Sequence, residues 1–162
     1  MSAEKHTIQF KLNGRDVSAD VAPHWNMVEL LQGEFGLTGA RESCGQGLCG
    51  CCTVLMDGEA VTGCLSLAVL ADGKDIETIE SQDADGELSA EQRAFIESGG
   101  LQCGYCTPGI LCTLTEFLET DPDPSEEEIR IALSGNLCRC TGYQGIVDAA
   151  LAYAQSIRGP AG

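Results

Sequence analysis

The sequence predicts an α+β chain, in which a small mixed sheet with one helix is followed by a bundle of four helices. Three observations carry that expectation. Short strand-like runs joined by Asn-Gly and Asp-Gly turns fill the first half. After a polar stretch the apolar spacing changes to that of amphipathic helices, with two capping boxes marking helix starts. The ten cysteines also divide between the halves, so each half has its own means of being stapled. The expected division is residues 1–80, a linker over 81–88, and residues 89–162.

Thr7 to Leu12 alternates apolar and polar, as a half-buried strand does. Asn13-Gly14 turns it back into Arg15 to Val21. Met27, Leu30, Leu31 and Phe35 have the spacing of a short helix that ends near Gly36. A cysteine-bearing loop runs from Gly39 to Cys52. Thr53 to Met56 and Glu59 to Thr62 form a second hairpin over Asp57-Gly58, and Asp75 to Glu80 alternates less regularly as a last strand.

The second half opens with Ser89 and Gln92, a capping box for a helix through Phe95, Ile96 and Ser98, stopped by Gly99-Gly100. Thr107 and Pro108 read as N-cap and N1 of a helix with Leu111, Leu114 and Leu118 on one face. Asp121-Pro122-Asp123-Pro124 ends it. Ser125 and Glu128 cap a third helix, whose first-turn glutamates suit the helix dipole. The last starts near Thr141, with Ile146, Val147, Ala150, Leu151 and Ala154 on its buried face.

With 43% hydrophobic residues the composition is that of a globular chain. The net charge is −16, and both halves are acidic: five basic and 12 acidic residues in 1–80, four and 13 in 81–162. A nucleic-acid binder needs a basic footprint, so that class is excluded. Met1 to Phe10 has no apolar segment behind a basic start, and Leu65 to Ala71 is too short to cross a bilayer. The expectation is a cytoplasmic protein without a transmembrane segment, whose cysteines are metal ligands or redox groups rather than disulfides.

Cys44-x4-Cys49-x2-Cys52 followed by Cys64 has the plant-type [2Fe–2S] spacing. Gly39, Gly45, Gly47 and Gly50 surround it, letting the backbone pass close enough for N–H groups to point at sulfur. Cys103-x2-Cys106 and Cys138-x-Cys140 form a second set, whose ligand type alone leaves zinc and iron both open. Cys106 and Cys140 each stand just before an expected helix, where free N–H groups favour negative charge, and Arg139 adds a cation. These differing environments predict two centres of different potential. Cys51 does not fit the x2 spacing, and Cys112 reads as a small buried hydrophobe within a helix. His6 and His24 lie outside both loops, which argues against a Rieske centre.

Cys44-Gly45-Gln46-Gly47-Leu48-Cys49-Gly50-Cys51-Cys52-Thr53-Val54 resembles the cysteine loop of the iron–sulfur small subunits of the xanthine dehydrogenase (molybdenum hydroxylase) family. Gln102-Cys103-Gly104-Tyr105-Cys106-Thr107-Pro108-Gly109 and Gly135 to Tyr143 resemble that family's two other blocks. The resemblance runs from about Thr7 to Tyr153. It implies a plant-ferredoxin-like β-grasp domain followed by a four-helix [2Fe–2S]-binding domain. It implies two [2Fe–2S] clusters, with Cys44, Cys49, Cys52 and Cys64 on one and Cys103, Cys106, Cys138 and Cys140 on the other. It further implies a molybdopterin-binding large subunit, an FAD-binding medium subunit and a dimer of heterotrimers. Single electrons would leave molybdenum through the helical-domain cluster, then the ferredoxin-like cluster, to flavin. Gln102 and Cys140 occupy positions that imply contact with the pterin. The chain departs from the family at Cys51, where a small residue such as alanine is common. A free-standing ferredoxin and a zinc-stapled adaptor are the rival readings.

Overall fold

The computed structural model describes residues 5–82 and 86–158. Asp83, Ala84 and Asp85 of the expected linker lie outside the described residues. Strands β1 (His6–Leu12) and β2 (Arg15–Val21) form an antiparallel hairpin in which Leu12 faces Arg15. The turn needs two residues in the left-handed region, and Asn13 (φ 50°) and Gly14 (φ 77°) supply them. The same device, Asp57-Gly58, joins β3 (Thr53–Met56) to β4 (Glu59–Thr62).

β5 (Asp75–Glu77) inserts between the hairpins, parallel to β1 and antiparallel to β3. The described residues thus form one five-stranded sheet of order β2-β1-β5-β3-β4. β5 is shorter than the alternation predicts. Thr78 is buried and turns inward, its N–H donating to Asn13 Oδ1 at 2.9 Å while its Oγ1 accepts from Asn13 Nδ2 at 3.0 Å. Residues Ile79–Ser81 then wind into a 3-10 turn.

Helix α1 (Met27–Phe35) covers one sheet face. Asn26 caps it by accepting from Glu29 N at 2.8 Å, and the Glu29 carboxylate accepts from Asn26 N at 2.8 Å. Met27, Leu30 and Leu31 meet Ile8, Phe10, Val21, Val54 and Ile76 in the core. The Phe10 and Phe35 rings meet edge to face, with centroids 5.7 Å apart.

The second half holds α2 (Ala90–Glu97), α3 (Thr107–Thr120), α4 (Glu126–Ala132) and α5 (Gln144–Arg158). Both expected capping boxes form, Ser89 with Gln92 and Ser125 with Glu128. Phe95, Ile110, Leu111, Leu114, Ile129, Ile146 and Val147 make its core. Two helix starts differ from expectation. The N-cap of α3 is Cys106 rather than Thr107. Helix α5 begins at Gln144, because Gly142 and Tyr143 both take the left-handed conformation (φ 67° and 70°) and no helix runs through such a pair.

Glu91 is buried between α2 and α3, its Oε2 accepting from the Thr115 hydroxyl at 3.3 Å, which in turn accepts from Gln82 Nε2 at 2.8 Å. Among the described residues Glu91 Oε1 has no partner. Burial pushes this carboxyl up to about 8, with the Thr115 bond opposing. The folded chain therefore keeps a proton that the unfolded chain releases, and stability falls as pH rises from the ordinary carboxylate range through about 8. Glu91→Gln should raise the thermal midpoint above about pH 8, by a free energy of a few kcal/mol, and leave it nearly unchanged near about pH 4.5. Equal shifts at both pH values, read by calorimetry, would rule this account out.

Candidate metal centres

The loop before β3 carries Cys44, Cys49 and Cys52, and the β3–β4 hairpin returns Cys64 to meet them. Gly47 (φ 70°) lets the loop curl over Cys44, whose sulfur accepts from Gln46 N and Leu48 N, both at 3.4 Å. Those amides, then the Cys49 thiol, bring the Cys44 thiol down to about 6. Gly63 passes so close to the Cys52 carbonyl that an added Cβ would lie 2.7 Å from it. That approach aims Cys64 N at the Cys52 sulfur, 3.4 Å away. Burial raises Cys52 to about 11, the Cys64 N–H pulling the other way. These amide bonds to sulfur are what a negatively charged cluster requires.

The second set lies at the end of the bundle next to this loop. The Cys103 and Cys140 sulfurs are 3.6 Å apart and exposed. Cys106 is buried at the N-cap of α3, with its thiol against that of Cys138. The Tyr105 amide, then the Cys140 thiol, draw Cys103 down, and Cys103 pushes Cys140 up. Burial, then the Cys138 thiol, push Cys106 up to about 12. Burial also works to raise Cys138, yet the Thr141 hydroxyl and the amides of Cys140 and Thr141 outweigh it and hold Cys138 below its ordinary value. In each close pair one thiol is pushed down and its neighbour up, and a metal cation bound there would hold both as thiolates.

Among the expected ligands, neighbouring thiols are Cys44 and Cys49, Cys52 and Cys64, Cys103 and Cys140, and Cys106 and Cys138, with Cys51 also beside Cys49. A mononuclear zinc site gathers four thiolates about one point, whereas a diiron cluster takes two thiolates at each of two irons. The donor set and its two-and-two grouping fit [2Fe–2S] centres.

Other expected residues fall as follows. Gln102 is exposed beside Cys103, and His6 and His24 are exposed. Cys112 is buried in α3. Cys140 does not stand at a helix start, since Thr141, Gly142 and Tyr143 separate it from α5. The helix-dipole argument therefore holds for Cys106 and not for Cys140. Two residues near the second set were not singled out by the sequence. Asn136 is buried, and its Nδ2 donates to Gly50 O at 3.2 Å. The Tyr143 hydroxyl accepts from Cys138 N at 2.8 Å and donates to Asn136 O at 2.9 Å. Both lie within the Gly135 to Tyr143 block, but their roles appear only once the chain is folded.

The two thiol sets share one seam. Leu137 N donates to Cys49 O at 2.9 Å, joining a first-set residue to the segment that carries Cys138. At the seam's edge Arg41 Nη1 donates to Gly104 O at 2.7 Å and its guanidinium stacks on the Tyr105 ring. The Tyr105 hydroxyl donates to Glu42 O at 2.7 Å.

A sheet-and-bundle chain with paired thiols on each half is an iron–sulfur electron carrier with two centres. Comparison with known proteins agrees. Residues 10–81 match the 2Fe-2S iron-sulfur cluster binding domain, and residues 76–151 match a [2Fe-2S] binding domain. The chain is 48% identical to the nicotinate dehydrogenase small FeS subunit of Eubacterium barkeri, over 93% of this chain and 95% of that one. It is 47% identical to the nicotine 6-hydroxylase small subunit of Paenarthrobacter nicotinovorans, over 92% and 90%. The solved structure of quinoline 2-oxidoreductase from Pseudomonas putida 86 superposes with a TM-score of 0.93 at 42% identity, covering 96% of this chain and 98% of that one. The chain belongs to the iron–sulfur small subunits of the xanthine dehydrogenase (molybdenum hydroxylase) family. It is an electron-transfer component of an oxidoreductase whose catalytic site is on other subunits, and in that family molybdopterin and FAD are carried there.

Proposed function

We propose that Cys44, Cys49, Cys52 and Cys64 hold one [2Fe–2S] centre, that Cys103, Cys106, Cys138 and Cys140 hold the other, and that electrons cross the chain from the second to the first. The observation that carries this reading is the two-and-two pairing of the sulfurs on either side of a shared seam. When bound, the clusters supply one-electron redox chemistry. The residues supply the rest. The amides of Gln46, Leu48 and Cys64 hold the first-set sulfurs, and Thr141 and Tyr143 hold Cys138. Phe95, Ile110, Leu111 and Ile146 keep water from the buried side of the second set.

Each set also has an outer edge. Cys103, Cys140 and Gln102 are exposed together with Leu101 and Leu137, and this edge faces the pterin-bearing large subunit. Cys44 and Cys64 are half-buried beside the exposed Leu48 and Leu65, and this edge faces the FAD-bearing medium subunit. Exposed apolar residues around a redox edge suit a protein interface. The assembly is a dimer of such heterotrimers. Ten free thiols favour the reducing cytoplasm, and among the described residues no helix is long and apolar enough to cross a membrane.

Purification of the natively expressed chain tests this. It should bring down a larger and a medium subunit and contain about four irons and four sulfides per small chain. A lone monomer, or a colourless protein containing zinc, would sink the reading.

A further inference from the structure

The segment that carries Cys103 has little regular structure to hold it. Residues 101–105 belong to no helix or strand, and among the described residues none of them makes a hydrogen bond between main-chain groups. The hydrogen bonds that tie this segment to the first half come from side chains. Arg41 Nη1 donates to Gly104 O at 2.7 Å, and the Tyr105 hydroxyl donates to Glu42 O at 2.7 Å. The two contacts are reciprocal, since a side chain from each segment reaches a main-chain carbonyl of the other. Between them the Arg41 guanidinium lies over the Tyr105 ring, 5.5 Å from its centroid.

The local chain prepares each side of this contact. Arg41 Nε donates to Thr38 O at 3.2 Å and Arg41 N donates to Cys51 O at 3.1 Å, so the guanidinium is braced at its root and Arg41 is tied to the far end of the cysteine loop. Gly104 takes the left-handed conformation (φ 74°), which a side chain would resist, and in it presents its carbonyl to Arg41. Arginine suits the position because its planar fork can donate along an edge while its face stacks on a ring.

The deep side of the seam is held by other means. Leu137 N donates to Cys49 O at 2.9 Å, Asn136 Nδ2 donates to Gly50 O at 3.2 Å, and a Cβ on Gly109 would lie 2.0 Å from Gly50 O. Those contacts fix the Cys49–Gly50 backbone against α3 and the Cys138 segment, and none of them involves the exposed arm with Cys103. Removing the Arg41 and Tyr105 contacts therefore leaves the halves joined and frees that arm.

We propose that Arg41 and Tyr105 are positioning residues, a reciprocal latch that holds the Cys103 arm at a fixed distance from the first cysteine loop and so sets the coupling between the two centres. The inference rests on Cys103 being a ligand, as given under Proposed function. In the step it serves, one electron leaves the helical-half centre, which is oxidised, and arrives at the N-terminal centre, which is reduced. No bond forms or breaks, and no proton moves. The rate of such a step falls steeply as the gap widens, and the magnetic interaction of two unpaired spins falls as the cube of their separation. A ligand arm that wanders weakens and spreads both, as in any site whose supporting contacts are loose.

The test uses the assembled complex carrying Arg41→Ala, Arg41→Lys, Tyr105→Phe, or Arg41→Ala together with Tyr105→Phe. Each is analysed for iron and sulfide, fully reduced with dithionite, and followed by pulsed electron paramagnetic resonance, which reads the spin–spin interaction between the centres. Lysine can still reach the Gly104 carbonyl but has no plane to stack, and phenylalanine keeps the ring without the hydroxyl. Iron content should match wild type in every variant. The spin–spin distances should broaden and lengthen in Arg41→Ala, and do so less in Arg41→Lys and Tyr105→Phe. The long-distance fraction should grow about fivefold in Tyr105→Phe, the worth of one neutral hydrogen bond. The double variant should be little worse than Arg41→Ala, because the two halves of a latch act as a unit. Full iron with an unmoved spin–spin interaction in Arg41→Ala overturns the proposal even where the thermal midpoint falls, since the contacts would then serve stability alone. Effects that simply add in the double variant overturn the latch. Loss of about half of the iron in all variants also overturns it, since the contacts would then be needed to build the helical-half centre rather than to space it. Wild-type protein without iron and sulfide would instead refute the ligand assignment beneath it.

Discussion

Cys106→Ala is expected to remove the helical-half centre and leave the N-terminal one in place. Iron and sulfide should fall by about half, one of two electron paramagnetic resonance signals should vanish, and turnover of the complex should drop by orders of magnitude. The size of the effect follows from where the sulfur lies. Cys106 is the N-cap of α3, is 8% exposed and is paired with Cys138, so no solvent ligand can reach in to replace it. A serine there would be equally buried and a poorer ligand for iron. Cys112 is the control. It lies on the same helix and is 1% exposed, but stands apart from both thiol pairs. Cys112→Ala should cost about 1 kcal/mol through a small cavity and leave the iron content untouched. Full iron retention in Cys106→Ala would refute the assignment of the second ligand set.

Gly109→Ala is expected to be strongly destabilising. In an ordinary helix this change is favourable by up to about 1 kcal/mol. Here the added carbon would lie 2.0 Å from Gly50 O and 3.2 Å from the Cys51 carbonyl carbon. Both are backbone atoms and cannot swing aside. Relief requires lifting α3 off the loop, which strains the Asn136–Gly50 and Leu137–Cys49 hydrogen bonds. Overpacking with weakened bonds at a buried seam costs about 3 kcal/mol. For a chain of this length that lowers the thermal midpoint by roughly 10 °C. Gly33→Ala, inside α1 with nothing near its added carbon, should be neutral or stabilising. If thermal unfolding of the loaded complex gives the two variants equal midpoints, the close seating of α3 on the cysteine loop is wrong.

Much of this molecule is written in short-range pattern. The two hairpins are legible because Asn13-Gly14 and Asp57-Gly58 are among the few pairs that accept two left-handed residues. Helices α2 and α4 are legible because Ser89 with Gln92 and Ser125 with Glu128 satisfy their own end groups. Where the reading slipped, a tertiary contact had won. Strand β5 stops early because Thr78 turns to Asn13, a partner 65 residues away in sequence. Helix α5 starts late because the Tyr143 hydroxyl is held by Cys138 N and Asn136 O, which carries its backbone out of the helical region.

By itself, the amino-acid order determined that eight thiols come in two sets, that one set has the plant-type spacing, and that a sheet-forming half precedes a helical one. Those are properties of local spacing, and local spacing survives in an unfolded chain. Only the tertiary structure decided how the sulfurs divide into pairs, which of them face solvent, and that Cys51 and Cys52 part company into separate cores. The seating of α3 on Gly50 was likewise invisible, because it joins residues 59 positions apart through a single missing side chain. Such contacts arise from the packing of two halves against each other, and no periodicity within either half encodes them.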